Sequence, residues 1–226
     1  MFQRFEVLKD LTDAAFKDLA RCCSWHTVPA GKEIVRANDD TGEVYFIADG
    51  RVKVLLYSAD EGRPVVFAHL GPHEMFGEVA AIDGLPRSAT VEAESEFEIA
   101  VLKRDKFRQL LRDHPSFAFA VLSLLASHLR RLSERVYEFS TLDVGGRVRA
   151  ELLRSAVLDE SNKNQALVSP APRAEVAAKT GTAREAVSRV ISKLDEEGIV
   201  KREGQDLRIL DLKRLRDLVN AAKGES

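Results

Sequence analysis

Two short stretches bring chemically capable side chains close together along the chain. Phe76-Gly77-Glu78-Val79-Ala80-Ala81 supplies a glycine and a carboxylate, and Pro86-Arg87-Ser88-Ala89-Thr90-Val91 follows with a guanidinium and a hydroxyl. Gly77, with no Cβ, lets the backbone approach a ligand closely, and the run Glu78-Val79-Ala80-Ala81 can open a short helix with free N–H groups that favour an anion. Arg87 offers a planar, permanently charged fork for phosphate oxygens, and Ser88 adds its hydroxyl and N–H to the same group. A carboxylate beside an anion must look elsewhere, so Glu78 is expected to accept from a sugar hydroxyl. Phosphate and ribose 2′-OH would then be read together, which suits a cyclic nucleotide carrying one negative charge. Taken singly, a loop Gly, Arg and Ser are ordinary turn and surface residues. Their order and spacing carry the reading.

A second constellation lies in the last third of the chain. Pro172 to Ile191 reads as helix, tight glycine turn at Gly181, helix, with Ala177 small where two crossing helices must approach. Thr182 and Glu185 have the spacing of a capping box for the second helix. At about 100° per residue, Arg184, Glu185, Ser188 and Arg189 share one arc of that helix, while Val187, Val190, Ile191 and Leu194 share another. One face packs and the other is polar. Arginine pairs bidentately with guanine and glutamate accepts from cytosine N4, so the polar face suits a major groove. Arg173 starts the preceding helix, where it can meet a phosphate. Ile199 to Leu210 alternates around Gly204 as a β-hairpin wing, with Lys201, Arg202 and Arg208 as candidate contacts to a DNA backbone.

The elements that hold these residues follow from periodicity. Residues 1–114 read as an antiparallel β domain with a helical start, in which Asp10-Leu11-Thr12-Asp13 caps a short amphipathic helix. Val44–Ile47, Val52–Leu56, Val65–Phe67 and Phe97–Leu102 are strand candidates, separated by turn signals such as Asp49-Gly50 and Glu61-Gly62. Many short strands with regular turns imply a jelly roll or barrel. Residues 115–141 form one long helix on which Ala118, Leu122, Leu125, Leu129, Leu132, Val136 and Phe139 alternate at spacings of four and three, a two-stranded coiled-coil pattern that predicts a homodimer. Gly145-Gly146 reads as a helix-breaking hinge opening the third part, 142–226. The fold class is therefore α+β: an N-terminal β-roll, a long dimerisation helix and a C-terminal winged helix-turn-helix.

Composition narrows the function further. The chain has 226 residues, enough for two modest domains, and a formal net charge of −2. DNA binding must then come from a local basic face rather than from overall charge. No apolar run approaches the roughly eighteen residues of a membrane span, and the N-terminus has no apolar signal core, so a soluble, cytoplasmic protein with no membrane partner is expected. Cys22 and Cys23 are adjacent and read as buried thiols, too few for an iron–sulfur cluster. The histidines are scattered, and neither metal nor heme is expected. No Gly-x-Ser-x-Gly elbow, metal-spaced histidine pair or P-loop occurs, so the chain does not read as an enzyme.

The two constellations together resemble the catabolite activator protein (CRP/FNR) family of bacterial transcription regulators over nearly the whole chain. Phe76 to Ala81 with Arg87 and Ser88 matches its phosphate-binding cassette, and Leu142-Asp143-Val144 before a glycine and an arginine matches its hinge motif. The resemblance implies a homodimer, allosterically activated by cyclic AMP, or alternatively cyclic GMP, that binds a palindromic double-stranded operator and works with RNA polymerase. It also implies that Ser133 reaches the purine across the dimer. Leu132 departs from the threonine of the enterobacterial activator and offers a base no hydrogen bond. The alternative is a family member that answers to another ligand or to none, with the cassette a remnant.

Overall fold

The computed structural model describes residues 2–9, 11–57, 64–168, 172–204 and 206–224. Asp10, the predicted turn Glu61-Gly62 and Gln205 of the predicted wing lie outside them. The chain divides into two compact units, Met1–Leu129 and Arg130–Ser226, and the division falls inside one long helix.

In the first unit, helix α1 (Asp13–Cys22) starts at Thr12, whose side chain accepts the Ala15 N–H at 3.3 Å. Eight strands follow: β1 (Cys23–Val28), β2 (Glu33–Val35), β3 (Val44–Ile47), β4 (Val52–Tyr57), β5 (Pro64–Leu70), β6 (Met75–Phe76), β7 (Thr90–Ala93) and β8 (Phe97–Leu102). They form two antiparallel four-stranded sheets, ordered β1-β8-β3-β6 and β2-β7-β4-β5. Helix α2 (Glu78–Asp83) interrupts the strands after β6, and α3 (Arg104–Asp113) and α4 (Pro115–Thr141) complete the element list.

The apolar runs of β3 and β8, broken only by Glu98, have a physical cause. Successive side chains point to opposite faces, and both faces of this sheet are buried. Val44, Phe46, Ala100 and Leu102 pack on Phe5, Leu19, Phe107, Phe117 and Val121 under the helices. Ile47, Ile99 and Phe97 point the other way, onto Val35, Val52 and Val91 of the second sheet. The two cores sandwich the sheet that carries β6 and hence the start of α2, so the Gly77–Arg87 segment stands on a rigid base.

In the second unit, α5 (Val144–Arg154), β9 (Val157–Leu158), β10 (Ala166–Val168), α6 (Arg173–Thr180), α7 (Arg184–Glu196), β11 (Val200–Glu203), β12 (Asp206–Ile209) and α8 (Leu212–Lys223) follow in order. The strands form one antiparallel sheet, β11-β12-β10-β9, with β11 and β12 as the wing hairpin. Val148, Leu152, Val176, Val187, Ile191, Leu207 and Leu215 build its core.

Two expectations are corrected here. Gly145 and Gly146 do not break a helix: both lie in the first turn of α5, and the break is at Asp143, whose carboxylate accepts the Gly146 N–H at 2.6 Å. An aspartate N-cap satisfies the helix start better than the glycines loosen it. The predicted capping box of α7 does not form either. The N-cap is Ala183, with no side-chain cap. Thr182 is instead used by the end of α6, where its N–H reaches the Ala177 carbonyl at 2.9 Å in a Schellman pattern around left-handed Gly181. A Cβ on Gly181 would also meet the Phe139 ring at 2.8 Å.

The seam residues of α4 fall into different surroundings. Leu122, Leu129, Leu132 and Val136 are exposed, whereas Leu125 is half-buried on the first unit's core. Phe139 lies under the Arg147 guanidinium, 5.2 Å from its ring centroid. Around this end of α4 the second unit holds a cluster of ion pairs. Glu138 binds Arg154 at 2.6 Å and Lys223 at 3.3 Å. Glu151 binds Arg154 at 2.5 Å and Arg135 at 3.2 Å, and Lys179 stands 3.7 Å away. Both carboxylates are buried, and each has at least two cationic partners, the condition under which burying a charge is tolerable.

Candidate functional site

The first site is assembled where β6 meets α2. Gly77 has φ +87°, a conformation that favours glycine, and a Cβ there would meet the Glu43 carbonyl at 2.6 Å and Arg87 Nη1 at 2.7 Å. The glycine therefore makes room for protein: a neighbouring strand end and the arginine pass against it. Arg87 is only 3% exposed. Its Nε donates to Thr41 Oγ1 at 2.8 Å, Nη1 to the Gly77 carbonyl at 3.2 Å, and Nη2 to the Glu43 carbonyl at 2.9 Å and to Glu43 Oε2 at 3.2 Å. Its guanidinium also lies over the Tyr45 ring, 5.7 Å from the centroid, and Tyr45 stacks on Phe76.

Glu78 is 6% exposed, a rare place for a carboxylate. Burial raises its pKa, while its own backbone N–H and the Arg87 charge pull the other way. The structure thus brings Gly77, Glu78 and Arg87 together in one small volume. Val79 and Ser88 are on the same segment and exposed. The segment therefore holds a multi-donor cation and a desolvated acceptor, both buried. Leu132 and Ser133 are exposed residues of α4 in the other unit.

Thr41, Glu43 and Tyr45, all within hydrogen-bond or ring contact of Arg87, were not legible as site residues. They precede Arg87 by more than forty positions, and the pairing of β3 with β6, together with the backbone hydrogen bonds that Asn38 and Asp39 make with Arg87 itself, brings them near. Arg104 completes their support by donating to the Thr41 carbonyl at 2.9 Å.

The second site is on the helix-turn-helix. Arg184, Glu185 and Arg189 are exposed, Ser188 is half-buried with its hydroxyl donating to the Arg184 carbonyl at 3.0 Å, and Val187, Ile191 and Leu194 face the core. The predicted division of faces is what the helix has. A groove of about 620 Å³ runs between α6, α7 and the wing, lined by Arg173, Arg184, Glu185, Ser188 and Arg202 among others. Arg189 is not part of its lining. Lys201 and Arg202 are exposed. Arg208, predicted as a DNA contact, is held by Glu203 at 2.8 Å with Asp159 at 3.6 Å, since β12 turns it toward its own sheet neighbours.

Among the described residues no helix is long and apolar enough to cross a membrane. Comparison with known proteins bears on both sites. Residues 25–114 match the family model of the cyclic nucleotide-binding domain, and residues 146–218 match that of the Crp-like helix-turn-helix domain. The chain is 29% identical over 187 residues to the cAMP-activated global transcriptional regulator CRP of Haemophilus influenzae, covering 82% of this chain and 83% of that protein. The crystal structure of the Thermus thermophilus catabolite activator protein aligns over 96% of this chain and 99% of that one, at 27% identity and a TM-score of 0.56. The c-di-GMP responsive global regulator CLP of Xanthomonas campestris aligns over 88% and 99%, with a TM-score of 0.71. Its 20% identity speaks for the fold alone.

Proposed function

The chain belongs to the CRP/FNR family of transcription regulators, and from that premise we propose that it is a homodimeric regulator switched by a cyclic purine nucleotide. Cyclic AMP is the proposed ligand, with cyclic GMP as the alternative. Arg87 and Ser88 take the phosphate, Glu78 the ribose hydroxyl, and Gly77 and Val79 the backbone side of the site. Ser133 and Leu132 face the base. The observation that carries the reading is the pairing of a buried carboxylate with a buried guanidinium in one cassette. Burying both charges is costly, and a bound sugar phosphate that contacts each of them would offset that cost.

The proposed output is DNA binding. Two copies associate through the exposed apolar row of α4, which lies between a ligand-binding part (1–114) and a DNA-binding part (142–226), with residues 115–141 as the dimer helix. Arg184, Glu185, Ser188 and Arg189 enter the major groove, Arg173 contacts a phosphate, and the two half-sites of a palindromic operator lie about one helical turn apart. The nucleotide acts by binding the DNA-competent arrangement more tightly than the other. The cytoplasm is the proposed setting and RNA polymerase the further partner.

The test is a mobility shift at fixed salt on duplexes selected from a randomised palindromic pool. The expected result is a retarded complex of two chains per duplex that requires cyclic AMP or cyclic GMP. Retardation that is the same with and without either nucleotide would sink the ligand half of the reading and leave the DNA half standing.

A further inference from the structure

Arg87 is fully engaged by its own protein, and one of the groups engaging it is a carboxylate. Glu43 Oε2 lies 3.2 Å from Arg87 Nη2 and also accepts the Gly42 N–H at 3.2 Å. Its side chain is 39% exposed, so it stands at the mouth of the site, while the arginine side chain beneath it is 2% exposed. A second carboxylate, the buried Glu78, also feels the Arg87 charge. Arg87 therefore faces two carboxylates, and a further cation, Arg104, is spent on the Thr41 carbonyl. An incoming phosphate oxygen that approaches Nη1 and Nη2 must share that edge with Glu43.

We infer that Glu43 is a charge-selecting residue of the ligand site, which competes with the ligand phosphate for Arg87 and so favours singly charged phosphodiesters over doubly charged phosphomonoesters. The inference rests on the assignment of Arg87 as the phosphate-binding group. The repulsion between the Glu43 carboxylate and a bound phosphate scales with the ligand's charge. A cyclic diester carries one negative charge, whereas a 5′-monophosphate carries nearly two near neutral pH. Both feel Glu43, and the monophosphate feels it about twice as strongly. The neighbouring backbone makes the selection local to the side chain: the Glu43 carbonyl, 2.9 Å from Nη2, persists in any substitution and keeps the guanidinium in place.

The experiment is calorimetric titration of the full-length protein and its Glu43→Gln and Glu43→Ala variants with cyclic AMP, cyclic GMP and 5′-AMP at one salt concentration. Both variants should bind the preferred cyclic nucleotide about threefold more tightly, and 5′-AMP about tenfold more tightly, so that discrimination narrows. Unchanged or weaker binding of the cyclic nucleotide in both variants overturns the inference and makes Glu43 a support for Arg87. An equal gain for cyclic nucleotide and 5′-AMP overturns the selection by charge. Wild-type protein that binds none of the three removes the underlying assignment, and this is read from the wild-type arm alone.

Discussion

The cassette and the recognition helix both rely on arginine and glutamate, yet they keep them in opposite states. Arg87 and Glu78 are buried, and every nitrogen of the Arg87 fork has a partner at 3.2 Å or less. Arg184, Glu185 and Arg189 are exposed, and among the described residues their side chains take part in no ion pair. A small ligand offers few contacts, so its site must be dehydrated and held in place beforehand for each contact to count. DNA offers a long array of charge, and hydrated arginines on a helix can be steered to it and desolvated at the moment of contact. The same side chain is thus a buried framework element in one unit and an exposed one in the other.

Substitutions should divide along that line. Arg87→Leu is expected to have the largest effect, because it removes both a ligand contact and the partner of Gly77, Thr41 and Glu43. Stability should fall by about 2–4 kcal/mol and cyclic nucleotide affinity at least a hundredfold. Thermal unfolding and calorimetry measure the two, and an unaltered melting temperature would contradict the framework role. Arg184→Ala should do the reverse, weakening specific operator binding by about 1–3 kcal/mol with stability changed by no more than about 0.5 kcal/mol.

Glu78→Gln sharpens the contrast, since it should lower nucleotide affinity by about 1–2 kcal/mol while raising stability. An acid whose folded-state pKa is raised holds its proton more tightly when folded, so the wild type loses stability as pH climbs from the ordinary value of 4.5 through the raised one. The variant has no such loss. The difference in unfolding free energy, measured without ligand, should grow over that range and then level off. A wild type as stable as the variant at neutral pH would mean that burial is not the dominant influence on Glu78. The smallest effect is expected for Arg173→Ala, which should weaken binding by about the same factor on every DNA sequence and reduce the salt slope by about one, as loss of a single phosphate contact does. A change in preferred sequence would contradict that role.

Where local pattern sets structure, the sequence was readable. The short apolar runs of β3 and β8, the helix–turn–helix around Gly181 and the polar arc of α7 each follow from local composition and helical period that survive folding intact. Gly77, Glu78 and Arg87 were readable for a different reason, since they sit within eleven residues of one another on a segment marked by two left-handed glycines, Gly77 and Gly84. What escaped was set by distant pairing. Thr41, Glu43 and Tyr45 reach Arg87 because β3 lies beside β6 and the backbone of Asn38 and Asp39 bonds to that of Arg87. The burial of Glu138 and Glu151 carries no local signal, since it depends on Arg154 of α5, Lys179 of α6 and Lys223 of α8 gathering around them. Gly145-Gly146 misled because composition suggested a break, whereas Asp143 settles the helix start one turn earlier.

The charged cluster at the end of α4 bears on how such a protein can be taken apart and recombined. Glu138, Arg135 and Phe139 belong to α4 by sequence but to the second unit, with its helix-turn-helix, by their partners. A transplant that joins this DNA-binding half to a foreign sensor at residue 142 would leave Arg154 and Lys223 facing an unmatched helix and Glu151 short of one cation. A joint made ahead of Arg130 carries the whole cluster across. The portable module is larger than the helix-turn-helix, and its natural seam lies within a continuous helix.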